Sequence, residues 1–172
     1  MLTEPLKSLC IEESSKSFLT KNQERIKLLG EVFTPTPLVL DMLEKLPDSA
    51  WEPNKTFLDP TCGNGQFLAA ILTIKMALGH DKETALSTIY GADIMEDNVI
   101  ECIQRLYGNG LITKTNTPSD FQTNGIIAMF THNDRLVKNI VQADGLLYNY
   151  SFGQPIVFDE YIHEINNCLE WG

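Results

Sequence analysis

The stretch Phe57-Leu58-Asp59-Pro60-Thr61-Cys62-Gly63-Asn64-Gly65-Gln66-Phe67-Leu68 decides how this chain is read. Its pattern is a short buried strand, an acidic turn carrying two glycines, and the opening of a helix. Glycines two apart let a backbone approach a ligand closely, and the helix beyond them offers N–H groups without intrahelical partners. The spacing is not the G-x-G-x-x-G of dinucleotide binding, because residue 68 is leucine, and no Gly-Lys-Ser/Thr occurs to hold a triphosphate. Asp59 beside the turn favours a ligand carrying an amine over one presenting a phosphate. A tight turn with no ligand is the plain alternative.

Working outward, hydrophobic spacing predicts a strand over Thr56–Asp59 and a helix from Gly65 to Leu78, apolar at Phe67, Leu68, Ile71, Leu72 and Met76. A short helix is predicted over Lys82–Leu86, a second strand over Ser87–Ala92 ending at Asp93, and a helix over Asp97–Leu106 stopped by Gly108. The polar residues 111–123 read as a surface loop, 124–139 as helix, and Ile140–Ala143 as a third strand ending at Asp144. Ile156–Phe158 is a candidate fourth strand, with a last helix over 160–170. Upstream, residues 1–15 are an arm or short helix, and Ser15–Leu29 is an amphipathic helix with Phe18, Leu19, Ile26 and Leu29 on one face. Gly30–Pro37 is a loop whose Thr36 is placed to cap a helix that begins at Pro37 and runs to Leu46. Alternating strands and helices argue an α/β fold with a mostly parallel sheet flanked by helices. The expected organisation is a helical arm over 1–29 and one domain over 30–172.

In open parallel sheets ligands sit beyond the carboxyl ends of the strands. Asp59, Asp93 and Asp144 all fall at such ends, so they describe one crevice. Asp93 is suited to accept both hydroxyl hydrogens of a ribose, its alternative being a helix N-cap. Ile94 next to it can pack on an adenine face. Asp144 is suited to accept from an exocyclic amine, or is a turn residue before Gly145. A ligand with an amine, a ribose and an adenine is S-adenosylmethionine (SAM). The run Tyr148-Asn149-Tyr150-Ser151-Phe152 beside this crevice either packs over the cofactor and core or stacks a base.

Four segments, in order, resemble those of the SAM-dependent DNA adenine-N6 methyltransferases of the modification-methylase, type I and type IIG kind. These are Gly30-Glu31-Val32-Phe33-Thr34-Pro35, Asp59 to Leu68, Tyr90-Gly91-Ala92-Asp93-Ile94, and Asn139 to Leu146. The resemblance covers residues 24–153 and implies a truncated Rossmann-like SAM-methyltransferase fold. It implies that Phe33, Thr34 and Pro35 lie at the methionine end of the cofactor, with Thr34 near its carboxylate. Asp59, or the backbone of Thr61 and Gly63, would hold the methionine amine within the loop completed by Gly65 and Phe67. Asp93 would bind ribose, Ile94 would pack on adenine, and Asp144, followed by Gly145, would accept from the adenine amine. S-adenosylhomocysteine would be the product.

The family's catalytic motif, Asn or Asp followed by Pro-Pro and Tyr or Phe, is not in these 172 residues, which hold no Pro-Pro pair. Where it would follow the fourth strand, the chain has Asp159-Glu160-Tyr161. No catalytic residue is therefore assigned. The expectation is half of a doubly wound sheet with an open edge, completed by a homo- or hetero-oligomeric partner. With a net charge of −10, DNA would be met only weakly or through that partner. Alternatives are a catalytically inactive SAM-binding regulatory subunit and an acidic interaction protein or decoy for a DNA-binding partner. The four cysteines form no C-x-x-C pair and lack histidine at ligand spacing, so no metal is expected. Without a basic-then-apolar leader or an apolar run of about 18 residues, the expected location is cytoplasmic.

Overall fold

The computed structural model describes residues 2–14, 32–108, 112–116, 126–132, 135–148, 150–153 and 156–158. The helices expected over Ser15–Leu29 and 160–170 lie outside the described residues. Helix α1, Glu4–Ser14, opens the chain and packs on the central helix α3, Gln66–Ala77, with Leu2 and Cys10 in the core. Helix α2, Thr36–Leu43, buries Val39, Leu40 and Leu43. It begins one residue earlier than the capping argument predicts: Pro35 holds the N-cap position and Thr36 makes no side-chain cap. Proline's preset φ supplies the extended geometry before the helix without a hydroxyl cap. The helix ends at Leu43, short of Leu46, and a 3-10 turn follows over Asp48–Trp51.

Strand β1, Phe57–Asp59, lies parallel to β2, Ile89–Asp93, with Phe57 opposite Ile89 and Asp59 opposite Gly91. Between them run α3 and the short α4, Lys82–Leu86, which Asp81 caps by accepting from the Thr84 N–H at 3.1 Å. β2 leads into α5, Glu96–Tyr107. On its far side β2 pairs in parallel with β6, Ile140–Gln142, placing Asp93 opposite Gln142. This is a three-stranded parallel sheet of order β1-β2-β6 flanked by helices, a truncated Rossmann-like fold. α3 is apolar nearly all round and accordingly buried. α5 is two-sided, burying Val99, Cys102, Ile103 and Leu106 at helical spacing.

The segment between α5 and β6 departs from the sequence expectation. Residues 112–116, expected as loop, form β3 (Ile112–Asn116), and 126–132, expected as helix, form β4 (Ile126–His132). They pair antiparallel, Ile112 opposite Phe130, and a two-residue β5, Arg135–Leu136, extends the arrangement. The strand Ile156–Phe158, β7, forms as expected, but it pairs antiparallel with β4 and does not join the parallel sheet. Ile112, Thr113 and Thr115 in one strand and Ile126, Ile127 and Phe130 in the other are β-formers. Their inner ends, Asn116 and Ile126, stand ten positions apart, more than the two- to five-residue turn by which a hairpin is read from sequence. Among the described residues, nothing pairs with the side of β1 away from β2. No helix among them is long and apolar enough to cross a membrane.

The amino ends of β1 and β2 are tied by a buried cation. Lys75 on α3 is fully buried; its Nζ donates to the Lys55 carbonyl at 2.7 Å and to Thr88 Oγ1 at 2.6 Å, 5.2 Å from the Phe57 ring centre. Lys75→Ala removes the buried stem and leaves both acceptors without this donor. Urea denaturation should register a loss of about 2–4 kcal/mol; an unchanged midpoint would contradict this anchoring role.

Candidate functional site

All three parallel strands end on one side of the molecule, and the chain leaves β1 there through a turn over residues 60–65. The Cys62 N–H donates to the Ala92 carbonyl at 2.8 Å, and the Gly65 N–H closes onto the Cys62 carbonyl at 2.8 Å. Gly63 and Gly65 take φ of +52° and +84°, where a side chain is strained. A Cβ on Gly65 would also stand 2.7 Å from Cys102 Sγ. The glycine spacing thus serves two ends, turning the backbone and letting the loop sit directly on α5.

Two carboxylates face this turn. Asp93 Oδ2 accepts from the Gly63 N–H at 2.9 Å, while Oδ1 accepts from the Met95 N–H at 2.9 Å and from Asn98 Nδ2 at 3.0 Å. Met95, not Asp93, is the N-cap residue of α5. Asp59 Oδ1 accepts from the Thr61 N–H at 3.2 Å. Burial pushes the Asp59 carboxyl above the usual carboxylate range; the Thr61 N–H opposes this and the nearby Asp93 charge adds to it. The Cys62 thiol is pushed up by its hydrogen bond with Cys102 and by burial.

A cleft of about 540 Å³ opens between these groups, a size suited to a small organic ligand. Of the residues singled out from sequence, it brings together Phe33, Thr34, Asp59, Thr61, Gly63, Phe67, Asp93 and Ile94. The Phe33 ring lies over Gly63, where a Cβ would meet it at 3.2 Å. Val32, Cys62, Gln66 and Met95 also line the cleft and were not singled out. Val32, Cys62 and Gln66 lie within the segments that carry the resemblance, whereas for Met95 adjacency to Ile94 was the only signal.

Pro35, Gly65, Asp144 and Gly145 are not part of the lining. Pro35 caps α2, and Gly65 faces α5. Asp144 is engaged in its own turn, its carboxylate accepting from the Leu146 N–H at 2.8 Å and its carbonyl from the Leu147 N–H at 3.1 Å. Gly145 supports the ligand loop from behind, since a Cβ there would stand 2.4 Å from the Pro60 carbonyl oxygen. The aromatic run divides: Tyr150 and Phe152 pack together at 5.5 Å and Phe152 edges onto Tyr90 at 5.2 Å, whereas Tyr148 is 81% exposed.

A family model described as N-6 DNA methylase matches residues 16–153. The chain belongs to the N-6 DNA methylase family. Comparison with curated proteins and with solved structures returns no significant match. The methylase match spans every residue of the cleft, both carboxylates and the glycine turn. The family's methyl donor is, in general, SAM. The parallel sheet of order β1-β2-β6, with the glycine turn after β1, lies within the matched residues.

Proposed function

We propose that this chain is the cofactor-binding half of a DNA adenine-N6 methyltransferase. In this reading it holds SAM in the cleft, and a further polypeptide segment supplies the catalytic motif and the DNA contacts. The observation that carries the reading is the convergence of Asp59, Asp93 and the Gly63 turn on one cleft in a chain of this family. SAM bears an ammonium and a sulfonium against one carboxylate, so a cleft with two carboxylates matches its net positive charge. Among the described residues, Asp59 Oδ2 has no hydrogen-bond donor, which leaves it for the methionine amine. Asp93, already fixed by three donors, is held rigid for the ribose hydroxyls. Phe33, Phe67 and Ile94 supply apolar walls, Ile94 being the one nearest the strand end that carries Asp93.

SAM, when bound, supplies an electrophilic methyl group. The chain's own residues bind and orient it and exclude water from its apolar walls. Transfer needs in addition an acceptor for the target amine's protons and a ring to stack the extruded base. The edge of β1 that no described residue pairs with is the seat for the segment that brings them. Leu58 on that edge is 51% exposed, and beside it runs an apolar groove of about 240 Å³ lined by Leu43, Phe57, Leu58, Phe67, Leu68 and Ile71. Asp59 borders both the groove and the cleft, so a strand added there ends next to the methyl donor.

Calorimetric titration with SAM and S-adenosylhomocysteine tests the reading. Binding of both is expected, with no methyl transfer to DNA by the chain alone. Absence of heat with either ligand would refute cofactor binding. Methylation of DNA without a partner would refute the need for an added segment.

A further inference from the structure

We propose that Arg105 is a positioning residue for the ligand loop, and that helix α1 sets the loop's shape through Glu13. Neither residue lines the cleft. The Arg105 side chain is 3% exposed. One arm of its guanidinium, Nη1, donates to the Asn64 carbonyl at 3.0 Å. The other, Nη2, donates to Glu13 Oε2 at 3.0 Å and reaches Gln66 Oε1 at 3.4 Å. One planar fork thus joins the loop, the first residue of α3 and the end of α1, a task a lysine's single point charge cannot perform.

Asn64 is the fully buried residue between the two loop glycines. One turn before Arg105 on α5, Glu101 Oε1 accepts from Asn64 Nδ2 at 3.1 Å. The loop tip is therefore gripped at three points: the Gly63 N–H by Asp93, the Asn64 side chain by Glu101, and the Asn64 carbonyl by Arg105. Two of these grips come from α5, behind the loop, and the third is the carboxylate assigned to the ribose. A shift at Asn64 moves the Gly63 peptide against Asp93.

A guanidinium this deeply buried needs a counter-charge, and among the described residues the carboxylate that pairs with it is Glu13, 92 positions away in sequence. Glu13 is delivered by the docking of α1, whose Cys10 enters the core, as does Leu2 just before the helix, and whose Lys7 pairs with Glu44 at 3.1 Å. Docking of α1 and the shape of the loop are thus linked. Linkage is reciprocal, so a ligand that orders the loop also holds α1 down. The affinity consequence rests on the SAM reading above; the loop-shape consequence does not.

The experiment compares wild type, Glu13→Gln and Arg105→Lys by SAM calorimetry, by amide hydrogen exchange and by thermal midpoint. Both variants should weaken SAM binding about five- to twentyfold and speed exchange at residues 62–66 more than elsewhere on α3 and α5. In the wild type, SAM should slow exchange across residues 4–14. A merely structural role would lower the midpoint while leaving both the affinity of the folded protein and the relative exchange of the loop unchanged, and that result overturns the proposal. Should the wild type give no heat with SAM, the cofactor reading falls, and loop exchange in the two variants alone decides this proposal.

Discussion

Asp93→Ala is expected to lower stability by roughly 2–4 kcal/mol and to weaken SAM binding by ~100-fold or more. The two effects have one origin. Asp93 accepts from the Gly63 and Met95 backbone N–H groups and from the Asn98 amide, so truncation strands three donors in a partly buried place. Losing the Gly63 bond releases the ligand turn, and losing the carboxylate removes the acceptor assigned to the ribose hydroxyls. Chemical denaturation measures the first effect, and calorimetry well below the midpoint measures the second. SAM affinity unchanged in a folded Asp93→Ala protein would show that the ribose assignment is wrong.

Asp59→Asn should separate binding from stability by moving them in opposite directions. Burial, with Asp93 nearby, holds the Asp59 carboxyl above its ordinary range. A group whose pKa is higher in the fold than in the open chain keeps its proton preferentially in the folded state. Its stabilising contribution is therefore present at acid pH and is lost as pH rises through the raised value. At neutral pH the ligand-free protein carries an ionised carboxylate that its surroundings disfavour. Asparagine removes that charge at nearly the same volume, so the thermal midpoint of the ligand-free protein should rise.

SAM affinity should fall roughly 10- to 100-fold, the worth of one hydrogen bond to a charged group. In the wild type the same affinity should weaken as pH drops through the raised Asp59 value, because the protonated carboxyl no longer attracts the methionine ammonium. In Asp59→Asn that pH dependence should vanish. A variant whose affinity and pH profile match wild type would place the amine elsewhere in the cleft.

Such opposed effects are typical where a site is organised for a ligand and not for its own stability. Asp59 and Asp93 stand at the ends of adjacent parallel strands, and the Asp93 charge adds to the burial that disfavours an ionised Asp59. A cationic ligand between them would relieve that. The buried Lys75 at the amino ends of the same strands answers only a packing need, with two acceptors and an aromatic ring around it.

The features legible from the residues alone are local. Strand, glycine turn and helix at Phe57–Leu68 follow from hydrophobic period and from glycine chemistry, both properties of neighbouring residues. The strand-end rule then extended that reading to Asp93 without knowledge of any contact. Tertiary structure alone decided the rest, because it turns on pairings between distant residues. Ile112–Asn116 and Ile126–His132 are strands because each finds the other; alone, the first read as polar loop and the second as helix. Asp144 lies two residues beyond the end of β6, and its carboxylate accepts from the Leu146 N–H, the turn role that its place before Gly145 also allowed. Arg105 and Glu13, 92 positions apart, carry no local pattern that joins them. Only the docking of α1 on α2 and α3 brings Glu13 to the buried Arg105, whose other arm reaches the Asn64 carbonyl, since burial, not residue type, makes the pair matter.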